Sequence, residues 1–159
     1  MGLQAAIAVT LELRDALAAE RDRARQEREL LRSLDTERLL ERATFRRQFN
    51  AMVLRLQREL AAALEASKIE YGLAEASLES LATRAPEETA ELATNLAEIR
   101  SLAAALKELD ELNALLTKRA LQCVQGYLAA VCRRPVAYTR HGQQAEAAAA
   151  TSATFSRRF

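Results

Sequence analysis

In ERELLRSLDTERLL, Glu27–Leu40, strong helix formers on both sides are interrupted at Ser33, Leu34 and Asp35, and the path of the chain turns on that break. Asp35 suits an N-cap, since its carboxylate can accept from the free N–H groups of a helix start. Thr36 and Glu37 then fall in a first turn, where negative charge meets the positive end of the helix dipole. The run predicts a bend or tight turn between two helices. The alternative keeps those helices nearly continuous, as one kinked rod forming a hairpin with a later helix.

Upstream, apolar residues recur at Leu3, Leu17 and Leu31 with Ala24 between them, and again at Ala6, Leu13 and Leu34, which are the two seams of a heptad. Within this helix ERDRARQERE, Glu20–Glu29, holds eight charges in ten residues, four of each sign, and only Ala24 is expected to face a core there. Such a block is expected as a solvated face held by i,i+4 ion pairs. Downstream, a second helix over about Thr36 to Lys68 presents Phe45, Phe49, Met52, Leu56, Leu60 and Ala63, at spacings of 4, 3, 4, 4 and 3. Gly72 follows as its stop.

LAEASLESLATR predicts two or three turns on Leu73, Leu78 and Leu81. Pro86 at a first-turn position, with Glu87 and Glu88 beside it, then opens a long helix that the pattern carries to about Arg133, ~70 Å at the helical rise. Leu92, Ile99 and Leu106 form one seam and Leu102, Leu109 and Leu116 the other. The first seam meets Asn113 and continues through Ala120 and Tyr127. A lone seam Asn fixes register against a neighbouring helix at some cost in stability. Val124, Tyr127, Leu128 and Val131 widen the apolar face, and with two shorter helices before it this end is expected to overhang the bundle and offer a surface for another helix. Pro135 ends the helix. Residues 1–134 therefore read as an elongated antiparallel all-α bundle of three long helices with a short helical link, and residues 135–159 as a flexible basic segment.

Composition narrows the function classes. Half of the residues are hydrophobic but only 4% are aromatic, and four Gly and two Pro supply too little turn chemistry for a β architecture. Glycines at positions 2, 72, 126 and 142 form no phosphate-binding loop, and the single histidine, His141, supports neither a metal site nor a catalytic triad. No catalytic residue, cofactor or metal is expected. Residues 133–159 carry five Arg against one Glu, but as two pairs and a single rather than a stripe, which argues against nucleic-acid binding. No run approaches the ~18 apolar residues of a membrane span, and the first residues lack the basic start of an export signal. Cys123 and Cys132, nine apart on one helix, face opposite ways and cannot pair within it. A reduced, cytoplasmic protein is expected.

The order of these features resembles the FlgN family of flagellar export chaperones. The resemblance rests on ERELLRSLDTERLL at the first junction, the helix to Lys68, the link to Pro86, DELNALLTKRALQ with its Leu-Asn pair, and PVAYTRHG, which places Tyr138 and Gly142 at the family's tyrosine and glycine. Where the family commonly has a second Asn three residues after the first, this chain has Leu116 and Thr117, so only Asn113 is carried over. The resemblance implies a non-enzymatic chaperone of hook-filament junction proteins, which it binds through their terminal amphipathic helices and delivers to the flagellar export gate or ATPase complex. Tyr138 would dock on the gate, while Asn113, Val124, Tyr127, Leu128, Val131 and Gly142 would serve partner binding. The competing reading is a coiled-coil adaptor or self-associating scaffold, with the same face as a homodimer contact.

Overall fold

The computed structural model describes residues 1–132, and among them every regular element is helical: α1 Gly2–Ser33, α2 Thr36–Tyr71, α3 Leu78–Ala82 and α4 Pro86–Val131. The fold is all-α, as expected. The chain forms two compact units, Met1–Gln122 and a second beginning at Cys123. The expected helix end at Arg133, the break at Pro135 and the division between 134 and 135 lie outside the described residues.

The α1–α2 junction is a full reversal. Leu34 takes the left-handed conformation at φ 53°, the Asp35 N–H donates to the Leu30 carbonyl at 3.1 Å, and the Asp35 carboxylate accepts from the Arg38 N–H at 3.2 Å. These contacts satisfy groups that a helix end otherwise leaves orphaned. The kinked-rod alternative is thereby overturned, because α2 runs back along α1: Glu12 meets Arg55 at 2.9 Å and Glu70 accepts from the Gly2 N–H at 2.8 Å. Along α4 the pairings rise together instead. Asn95 donates to Thr10 at 3.5 Å, Arg14 to Glu98 at 3.4 Å and Asn113 to the Ala24 carbonyl at 2.8 Å. So α4 is parallel to α1 and antiparallel to α2, an up-down-up arrangement.

Two apolar clusters fill the interior of the first unit. One joins Leu3, Ala6 and Ile7 to Ala63, Leu81, Ala85 and Leu92. The other joins Leu13, Leu17 and Ala24 to Phe49, Leu56 and Leu106. Small residues set how closely the helices approach. At Gly2 an added Cβ would stand only 2.6 Å from the Ser67 nitrogen, so α1 and α2 touch there backbone to backbone.

Several expectations need correction. Leu34 is not a seam residue: as the left-handed cap it lies outside the helix and is 51% exposed. Phe45 is 54% exposed, because the innermost line of α2 runs at seven-residue intervals through Arg42, Phe49, Leu56 and Ala63 and leaves Phe45 at its edge. The second helix continues past Lys68 to Tyr71 before Gly72, at φ 62°, ends it. The link forms only the five-residue α3, opened by a capping box between Ser77 and Ser80. Leu73 packs against the core from outside any helix, while Leu81 is fully buried.

A leucine held at positive φ stores strain that glycine does not. Leu34→Gly is expected to raise stability by about 0.5–1 kcal/mol, the net of relieved strain and greater chain entropy. Urea unfolding measures this, and a lower midpoint would mean that the buried half of Leu34 outweighs its backbone.

Candidate functional site

The densest chemistry among the described residues lies inside the charged block of α1. Glu20, expected at the surface, is fully buried. Its Oε1 accepts from Arg42 Nη2 at 2.6 Å and from Arg46 Nη1 at 2.8 Å, and Arg46 Nη2 donates in turn to Asp110 on α4. Arg23 stands 3.5 Å from the other Glu20 oxygen, and Glu27 lies 3.2 Å from Arg42 Nε without hydrogen-bond alignment. Arg46 also lies 5.5 Å from the Phe49 ring centroid. Partial burial pulls the Arg46 pKa down, but hydrogen bonds to Glu20 and Asp110 outweigh it and hold the guanidinium above its ordinary value. It is a fixed cation.

This cluster ties three helices together. A cavity of about 500 Å³ beside it is lined by Arg23, Glu29, Leu30, Arg38, Arg42 and Phe45, among others. Its charges are largely occupied: Arg38 faces Asp35 at 3.6 Å and Glu29 holds Arg32 at 2.6 Å. Among the described residues no group of three His, Cys, Asp or Glu is placed to hold a metal. A register signal for Glu20 was present in the sequence, since Leu13, Leu17, Glu20 and Ala24 follow at spacings of 4, 3 and 4. Charge density concealed it.

Asn113, in the first unit, is buried. Its amide nitrogen donates to the Ala24 carbonyl at 2.8 Å and its oxygen accepts from Arg28 Nε at 3.3 Å, so both ends are engaged within the bundle. Asn95, which the periodicity reading passed over, is likewise buried and reaches Thr10 on α1. It sits seven residues before Leu102, which was the available signal.

The second unit is different in character. Every residue of Cys123–Cys132 is exposed, and none is charged. Val124, Tyr127, Leu128 and Val131 fall at i, i+3, i+4 and i+7, which places them on one helical face. They are 39%, 69%, 52% and 62% exposed, so their apolar surface is open to solvent. Cys123 and Cys132 are free and exposed. Tyr138, His141 and Gly142 lie outside the described residues.

The described residues thus define a helical bundle whose buried polar groups are largely engaged internally, with an apolar helical face at the surface of its second unit. The family model described as FlgN protein matches residues 1–146, and the chain belongs to that family, whose general role is that of a flagellar export chaperone. No curated protein and no solved structure matches it. No described helix is long and apolar enough to cross a membrane.

Removing one member of a buried ion pair strands the other, whereas replacing both with apolar groups often does not destabilise. Glu20→Ala is therefore expected to cost about 3–5 kcal/mol, and the Glu20→Leu/Arg42→Met double variant to fall within about 1 kcal/mol of the parent or above it. Urea unfolding of both variants checks this. A double variant as unstable as the single would show that the cluster contributes net stability.

Proposed function

We propose that this protein is a cytoplasmic, non-enzymatic export chaperone that binds hook-filament junction subunits, prevents their premature assembly and delivers them to the flagellar export gate or its ATPase complex. Membership of the FlgN family supports the class. The observation that carries the mechanism is the exposed face of Val124, Tyr127, Leu128 and Val131, an apolar surface at the helical spacing by which one amphipathic helix receives another. A client's terminal helix laid on this face would hide its own adhesive surface.

Magnitudes fit a reversible complex. Fully burying an aliphatic or aromatic side chain contributes roughly 1.5–3 kcal/mol, and these four are already partly covered, so together they offer about 3–6 kcal/mol before association entropy is subtracted. Client contacts beyond this patch must supply the remainder, and the complex stays weak enough to release its cargo. Asn113 acts in this reading as a positioning residue that holds α4 in register with α1. Tyr138, in the stretch that follows Pro135, supplies the gate-docking element, and Gly142 serves partner binding.

The test is calorimetric titration of the full chain with C-terminal helical segments of hook-filament junction subunits. One-to-one binding is expected, and Val124→Ser/Leu128→Ser should weaken it at least tenfold while leaving the thermal midpoint nearly unchanged, since both side chains are exposed. No binding to any segment, together with a stable self-associated state, would sink the chaperone reading in favour of a scaffold. For Tyr138→Ala, client affinity should persist while export of junction subunits into the medium falls several-fold. Loss of client affinity in that variant would place Tyr138 at the client contact instead.

A further inference from the structure

Three glycines lie among the described residues, and geometry accounts for two of them. At Gly2 an added Cβ would stand 2.6 Å from the Ser67 nitrogen, and Gly72 holds the left-handed φ of 62° that ends α2. Gly126 has neither reason. It sits inside α4 without a positive φ, and nothing lies within 4 Å of the position its Cβ would take. Two residues on from Val124, it falls on the side of the helix away from Val124, Tyr127, Leu128 and Val131. A glycine at an exposed interior position weakens the local helix about fourfold to fivefold relative to alanine.

Nothing nearby makes up that loss. Helices in proteins draw most of their stability from a packed face, yet every side chain from Cys123 to Cys132 is exposed. None of these residues is charged, so no i,i+4 ion pair supports the span, and no basic residue stands in the last turn of α4. Cys123, Val124, Gly126, Tyr127, Val131 and Cys132 all come from the poorer half of the helix-propensity order.

Resting on the reading of the Val124, Tyr127, Leu128 and Val131 face as the docking surface, we propose that Gly126 is a release element: it keeps residues 123–131 marginally helical, so that a client's amphipathic helix must order this segment as it docks. The four side chains share one side only while the segment is helical, and fraying disperses them. Only the helical fraction is competent to bind, which lowers the apparent affinity by that fraction. A client seated on a segment that unravels locally also leaves sooner than one seated on a rigid helix. Gly126 and Ala130, four apart, would alternatively let another backbone approach this side of α4 closely. The two roles respond oppositely to a new side chain at position 126. Alanine and glutamine both strengthen the helix, whereas both obstruct close approach, glutamine the more.

The experiment compares the full chain with its Gly126→Ala and Gly126→Gln variants, by amide hydrogen exchange of the free proteins and by titration with C-terminal helical segments of hook-filament junction subunits. In the parent, amides of residues 127–131 are expected to exchange within about tenfold of an unstructured peptide, while those of residues 92–106 are protected roughly a thousandfold or more. Both variants should slow exchange over residues 127–131 by about fourfold and bind each segment about threefold to fivefold tighter, through slower dissociation and with the thermal midpoint unchanged. Parent protection over residues 127–131 equal to that over residues 92–106 would overturn the proposal, as would variants that slow exchange but leave affinity unchanged. In either case, segments that still bind leave the chaperone reading standing. Weaker binding by both variants, glutamine most, would make Gly126 a point of close approach and refute the release role. Failure of every segment to bind any of the three proteins would sink the chaperone reading and the proposal with it.

Discussion

A carboxylate that is fully buried at the centre of a helix must be neutralised where it stands, and much of the first unit follows from meeting that demand at Glu20. Arg42 and Arg46 on α2 supply the counter-charge, and Arg46 extends the contact to Asp110 on α4. Desolvating such groups offsets much of their mutual attraction, so the cluster is expected to act more by specifying one register than by adding net stability. A slip of α2 along α1 would leave Glu20 buried without its arginines. No comparable penalty attaches to sliding leucines past leucines.

Two further polar contacts act in the same sense along α1 and α4. Asn95 reaches Thr10, and Asn113 reaches the Ala24 carbonyl and Arg28. Since apolar seams rich in Ala and Leu accept several registers at similar energy, polar groups at three levels remove that degeneracy. Close backbone approach at Gly2 and Ser67 adds a steric limit at one end of the α1–α2 pair. The first unit is accordingly built for one packing arrangement, with little of its chemistry left for a ligand.

This packing leaves one set of apolar residues unused. In the second unit the helix keeps its apolar periodicity while every side chain from Cys123 to Cys132 stays exposed. Under the proposed function such a surface would have to be sticky enough to compete with assembly and weak enough to let go. In the proposed reading, four partly exposed apolar side chains would meet both conditions.

Local chemistry in the sequence determined where helices begin and end. Asp35, Gly72 and Pro86 act through their own backbone and nearest neighbours, so their effect can be read without knowing what lies across the bundle. The all-α class, the heptad seams and the shared face of Val124, Tyr127, Leu128 and Val131 were legible for the same reason, and the order of short motifs carries the resemblance to the FlgN family. Which seam positions are covered was not legible. Periodicity gives identical patterns to a buried face and an exposed one, so the exposure of the Val124–Val131 face followed from relative helix lengths, and the structure bears it out. Only the tertiary structure replaced Phe45 with Arg42 on the inner line of α2, moved Leu34 from seam to cap and buried Glu20 in a block that looked solvated. Those outcomes depend on the side chain facing each position from another helix, and a charge is buried only when its partner stands opposite, which no single stretch of sequence records.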